Sequence, residues 1–105
     1  MTLPELKELL KTVLPRVAYH HWGVGQEPEL PYILYYADED NNFYADDLVY
    51  YDGCGVTIEV YSEQKDVELE NKMKKLLNDN ELPYESYVSF LDSENMYLKA
   101  YEINI

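Results

Sequence analysis

Apolar residues open the chain at steps of three and four. Leu3, Leu6, Leu9, Leu10, Val13 and Leu14 fall on one helical stripe, with Lys7, Glu8 and Lys11 off it. Thr2 stands at the N-cap position, Pro4 fits a first turn where its missing N–H costs nothing, and Glu5 completes the capping-box spacing. Pro15 is expected to end this helix. The pattern then turns to strands. Val17 to Trp22 is apolar and aromatic up to the turn-forming Gly23-Val24-Gly25. Pro31 opens Tyr32 to Tyr36, a β-branched and aromatic run suited to burial on part of both faces. Asp38-Glu39-Asp40-Asn41-Asn42 reads as a polar loop, and the short run Leu48 to Tyr51 as an edge strand. After the turn pair Asp52-Gly53, Val56, Ile58 and Val60 alternate with Thr57, Glu59 and Tyr61, the pattern of a half-buried strand.

Asp66 is the expected N-cap of a second helix, whose stripe is Leu69, Met73, Leu76 and Leu77. Glu68 and Glu70 lie near its positive end and Lys72, Lys74 and Lys75 nearer its negative end, which suits the helix dipole. Asn78-Asp79-Asn80 ends it. Two last strands, Tyr84 to Leu91 and Met96 to Ile103, flank the turn-rich Asp92-Ser93-Glu94-Asn95. The order α-β-β-β-β-α-β-β lacks regular βαβ alternation. It predicts an α+β fold, a mostly antiparallel sheet covered by two helices, in one domain over residues 1–105.

Composition narrows the function. With 47% hydrophobic and 14% aromatic residues, the 105-residue chain has enough apolar material to fold. Its formal net charge of −13 is opposite to the basic footprint that neutralises phosphates, which argues against ordinary nucleic-acid binding. No apolar run approaches a signal peptide or a membrane span, so a soluble cytoplasmic product is the default expectation. Cys54 is the only cysteine and has no partner for an intrachain disulfide or a Cys-based zinc site.

Catalytic patterns are missing from the sequence. His20 and His21 are adjacent, and neighbours on a strand point to opposite faces, so the pair is read as structural or surface rather than as a metal or base site. Asp38, Glu39, Asp40, Asp46 and Asp47 offer oxygen ligands but do not form an EF-hand series. Ser62, Ser86, Ser89 and Ser93 lack a GxSxG elbow, and Gly23-x-Gly25 neither reaches a third glycine nor precedes a helix. No catalytic, cofactor-binding or metal-ligating residue is assigned, and a non-enzymatic role is expected.

Tyrosine and charge placement carry more information. There are 12 tyrosines, paired at Tyr35-Tyr36 and Tyr50-Tyr51. On a strand one ring of such a pair enters the core and the other reaches the surface, where tyrosine favours interfaces; Tyr36, Tyr50 and Tyr51 are therefore candidate subunit contacts. Between Arg16 and Lys65 the chain has no Lys or Arg, yet it carries an unbroken series of acids from Glu27 to Glu63. Such a run describes either a solvated face or a surface that repels or imitates DNA.

Asn41-Asn42-Phe43-Tyr44-Ala45-Asp46, Val49-Tyr50, Ile58 to Asp66 (IEVYSEQKD), Ser93-Glu94-Asn95-Met96-Tyr97 and Tyr101-Glu102 together resemble small structural proteins of long-tailed bacteriophages and prophages of Gram-positive bacteria. The similarity runs nearly end to end and is closest to proteins of the head–tail joining region, the tail terminators. It implies an α+β subunit of a virion protein, assembled in the host cytoplasm into a hexameric ring on the tail tube and meeting the head connector proteins. No cofactor is implied and no catalytic residue is transferred. An acidic lumen lets DNA pass without holding it. On this reading Asp38, Glu39, Asp40, Asp46 and Asp47 belong to a lumen or assembly loop, and Mg²⁺ or salt promotes assembly by relieving the repulsion between acidic subunits. The competing readings are an acidic DNA-mimic inhibitor of a host nucleic-acid enzyme and another head–tail connector ring.

Overall fold

The structure is a computed structural model that describes residues 1–23, 25–37 and 55–105. Helix α1 spans Leu3–Lys11 and begins at a complete capping box. Thr2 Oγ1 accepts from the Glu5 N–H at 3.2 Å, and Glu5 Oε1 accepts from the Thr2 N–H at 2.8 Å. That exchange satisfies two of the amides a helix start leaves unpaired, and it holds the Glu5 carboxyl below its ordinary pKa. The helix ends earlier than the proline suggested. Thr12 caps it, with its hydroxyl donating to the Leu9 carbonyl at 2.6 Å, so Val13 and Leu14 pack on the core from beyond the helix.

Strand β1 is Val17–Tyr19, shorter than the expected run to Trp22. His20 breaks it by adopting a left-handed φ of 71°. β2 is Tyr32–Ala37 and β3 is Gly55–Ser62. Helix α2, Val67–Asp79, starts where Asp66 Oδ1 accepts from the Leu69 N–H at 3.0 Å. β4 (Glu85–Leu91) and β5 (Met96–Asn104) form the terminal hairpin. The hairpin reverses through a single 3₁₀ turn at Asp92–Glu94, then Asn95 at φ 53°, a left-handed position that Asn tolerates.

These strands make one five-stranded sheet in the order β1-β2-β3-β5-β4. The fold is α+β, as expected, but the sheet is mixed. β1 runs parallel to β2, with Val17 opposite Ile33, while the other three pairings are antiparallel. A parallel neighbour cannot follow from a tight hairpin, so the chain crosses over through the loop at residues 20–31. The expected strand at Leu48 to Tyr51 lies outside the described residues. Among those described, the edges are β1 and β4.

The core lies on one face. Leu6 and Leu10 from α1 and Leu69, Met73 and Leu77 from α2 join one cluster with Val17, Ile33, Tyr35, Val56, Ile58, Val60, Tyr101 and Ile103. The cross-strand pairs Ile33–Val60, Tyr35–Ile58, Ile58–Tyr101 and Val56–Ile103 put those sheet residues on a single side, so both helices cover the same face. Full burial of one such aliphatic side chain stabilises by about 1.5–3 kcal/mol. β3 departs from its half-buried expectation. Flanked by β2 and β5, it is buried on both faces, with Thr57 only 3% exposed opposite the helix layer. No helix among the described residues is long and apolar enough to cross a membrane.

Candidate interaction surface

The side of the sheet away from the helices is built by the same period of two. Tyr32, Leu34 and Tyr36 of β2, Thr57, Glu59 and Tyr61 of β3, and Leu98 and Ala100 of β5 share it. No helix packs on it among the described residues. A sheet face left to water usually alternates to polar residues, but this one carries aromatic and aliphatic side chains around Glu59, with the exposed Glu102 and Glu85 toward one end. Tyr32 stands opposite Tyr61, Leu34 opposite Glu59, and Tyr36 opposite Thr57.

Glu59 organises the centre. Its Oε1 accepts from the Tyr61 hydroxyl at 2.9 Å, and its Oε2 accepts from the Tyr36 hydroxyl at 3.3 Å. Tyr61 reaches it along the strand and Tyr36 diagonally across the pair. The band continues through rings. Tyr32 lies 5.2 Å from Tyr61 centroid to centroid, and Trp22, from the β1–β2 crossover, meets Tyr32 edge-on at 5.7 Å. At the other end His20 meets Tyr36 at 5.8 Å. Edge-to-face contacts of this kind are favourable because the rings' quadrupoles are complementary.

The phenols are held as neutral donors. Burial is the main cause that pushes Tyr61 well above its ordinary pKa, and Glu59 adds to the shift because a nearby carboxylate disfavours a phenolate. Tyr36 is raised for the same two reasons, and Tyr32 by burial with Glu27 and Glu94 contributing. Together these side chains form a set of neutral phenol donors tied to one carboxylate. It is suited to packing and hydrogen bonding against another surface.

The structure corrects one local expectation. His20 and His21 do not point to opposite faces, because the left-handed His20 breaks the strand alternation. Their Nδ1 atoms come within 3.1 Å, with ring centroids 5.3 Å apart. Both residues are exposed, and among the described residues no group of three or more His, Cys, Asp or Glu is arranged to hold a metal ion.

Of the residues singled out as candidate contacts, Tyr36 is placed on the helix-free face, while its neighbour Tyr35 is 4% exposed in the helix-side core. Tyr50 and Tyr51 lie outside the described residues, as do Asp38, Glu39, Asp40, Asp46 and Asp47. That acidic segment leaves after Ala37 and returns at Gly55, and Ala37 pairs with Val56. Glu59, Tyr61 and Trp22 were not singled out from sequence as site residues. The available clue was a carboxylate at the second of the polar positions in Val56 to Tyr61, two residues before Tyr61 on the same strand face.

Comparison with known proteins finds no matching family model, no matching curated protein and no matching solved structure.

Proposed function

We propose that this chain is a non-enzymatic assembly protein of a phage head–tail interface, a tail terminator whose subunits form a hexameric ring on the tail tube. The observation that carries the reading is the helix-free sheet face. Leu34, Tyr36 and Tyr61 stay only partly covered on that face, and aromatic and aliphatic side chains left part-exposed on a sheet favour contact with another protein surface. Support also comes from the α+β fold that the resemblance implies, and from a net charge of −13 that disfavours retention of DNA passing through a ring. In this proposal the product resides in the virion at the junction of tail and head, and meets the tail tube protein and the head connector. The acidic segment containing Asp38, Glu39, Asp40, Asp46 and Asp47 faces the lumen or an assembly contact. Tyr36, with Tyr50 and Tyr51, contributes to subunit contacts.

The test is native mass over a concentration series with and without Mg²⁺, with imaging of any large species. A six-membered ring favoured by the cation is the expected result. Tight binding to a basic host nuclease or polymerase by a chain that never forms rings, with affinity falling steeply as salt rises, would overturn it for a DNA mimic. For the lumen assignment, the Asp38→Asn, Glu39→Gln, Asp40→Asn variant should alter tail length or DNA ejection. Unchanged tails and ejection would remove it.

A further inference from the structure

The two described edges of the sheet are unlike. β1 offers three residues, closed by Pro15 before it and the left-handed His20 after it. β4 offers seven residues paired without a bulge to β5, from Glu85 opposite Glu102 to Leu91 opposite Met96. Natural edge strands are usually blunted by Lys, Pro, bulges or shortness, because an open row of N–H and C=O groups invites another strand. β4 has none of these devices. Its one charge is the terminal Glu85, and Tyr87, Val88 and Phe90 are each 48% exposed. They are three of the six large apolar side chains that stand out as exposed among the described residues.

We propose that β4 pairs antiparallel with β4 of a second copy of this chain, about a two-fold axis at Val88, to give a continuous ten-stranded sheet. The sequence of the strand is complementary to itself in that register. Phe90 then falls opposite the partner copy's small serine at position 86, Tyr87 opposite the one at position 89, and Val88 opposite its own counterpart. On either side of the axis an aromatic side chain meets a serine. The two copies of Glu85 each face a leucine, and they lie six residues apart along the strand. That is about 20 Å, or twice the screening length at physiological salt, so the one charge on the edge does not oppose the pair.

The surrounding surface fits the same register. Ser86, Val88 and Phe90 point to the helix side, since Ser86 stands opposite the core residue Tyr101. Beside Ser86 is a shallow hollow of about 280 Å³ walled by Glu70, Asn71, Lys74, Tyr84, Lys99 and Tyr101. The register brings the second copy's phenylalanine to the mouth of this hollow, beside Tyr84 and the aliphatic stem of Lys99. A two-fold perpendicular to the sheet keeps both pairs of helices on one face, so neither copy's core is disturbed. A single strand edge is small against the roughly 800 Å² per partner of a standard interface, so the pair is concentration-dependent. It is closed and isologous, whereas a polar ring repeats a head-to-tail contact. Native mass separates the two, at two chains against six.

The experiment uses the full chain with Cys54→Ser as background. Residues facing each other across an antiparallel pair have Cα atoms about 4.5–5.5 Å apart, within disulfide range, so Val88→Cys should cross-link to a dimer on mild oxidation. Ser89→Cys, displaced from the axis, should not. Val88→Lys should keep the fold by circular dichroism and raise the concentration at half-dimerisation at least about tenfold. A chain that stays monomeric up to millimolar concentration, a dimer unaffected by Val88→Lys, or equal cross-linking at positions 88 and 89 would each overturn the proposal.

Discussion

The carboxylate of Glu59 gives the sharpest test of the helix-free face, because two phenols depend on it at different distances. Tyr61→Phe removes only the hydroxyl and leaves the ring against Tyr32. A hydrogen bond to a charged acceptor contributes about 1.5–3 kcal/mol when it is shielded. Glu59 is half-buried and water can partly replace the lost donor, so the expected cost is about 1–2 kcal/mol. Tyr36→Phe breaks the longer 3.3 Å contact and should cost less, about 0.5–1 kcal/mol. Glu59→Leu removes the shared acceptor of both hydroxyls and should cost more than either single change. The assay is urea unfolding of the single variants and of the Tyr61→Phe/Glu59→Leu pair. A constant m-value would show that stability alone changed. The two changes should be non-additive, with a coupling of about 1 kcal/mol, because once the carboxylate is gone the hydroxyl has nothing left to lose. If Tyr61→Phe is neutral within about 0.3 kcal/mol, or the double variant is simply additive, the network is not formed and the face is not organised around Glu59.

Two further outcomes follow from burial. Met73→Ala removes a fully buried side chain between α2 and the sheet and should cost about 2–5 kcal/mol, whereas Val88→Ala on the exposed edge should stay within about 0.5 kcal/mol in the monomer; similar losses in urea would refute the helix placement. Tyr101, Tyr61, Tyr36, Tyr35 and Tyr32 all hold their protons above the ordinary phenol range, chiefly because burial disfavours a phenolate. The unfolded chain gives those protons up near pH 10 and the folded chain keeps them, so this stabilisation is complete below pH 10 and is lost as pH rises toward the folded values. Tyr101→Phe should make the fall in stability above pH 10 shallower by about one proton, and an unchanged slope would contradict the burial of that phenol.

The helices were legible because their ends are written in local chemistry. Thr2 with Glu5 and Asp66 with the Leu69 amide satisfy helix starts through residues three apart, so the motif and the hydrogen bond are nearly the same observation. The strands were legible in place but not in company. Alternation in Val56 to Tyr61 says which residues share a face, yet it does not say that β2 and β5 flank the strand and bury Thr57. The parallel pairing of β1 was hidden for a related reason. A three-residue strand has too little pattern to fix its direction, and its end is set by the φ of a single residue, His20. That same residue brings the two histidines together, since strand alternation ends at Tyr19. The aromatic band is non-local throughout. Glu59, Tyr36, Tyr32 and Trp22 come together only through the register of β2 with β3 and the course of the crossover loop.

The two surfaces with the strongest claim to contacts keep their exposed carboxylates away from their apolar centres. On the helix-free face the carboxylate of Glu59 is turned onto two hydroxyls while the exposed Glu102 and Glu85 lie toward one end, and on β4 the only charge is that same Glu85 at the end of the strand. Association through such surfaces gains from apolar burial and strand pairing, while the remaining charge of a −13 chain opposes it at longer range. Added salt shortens the repulsion without touching the contact itself, so self-association should strengthen with ionic strength and level off once the screening length falls well below the spacing of the acidic segments. A surface that imitates DNA works the other way. Its carboxylates are the contact, and salt weakens it without a plateau. The sign of the salt dependence therefore separates assembly from mimicry even before a partner is known, and it does so for the β4 pair and the proposed ring alike.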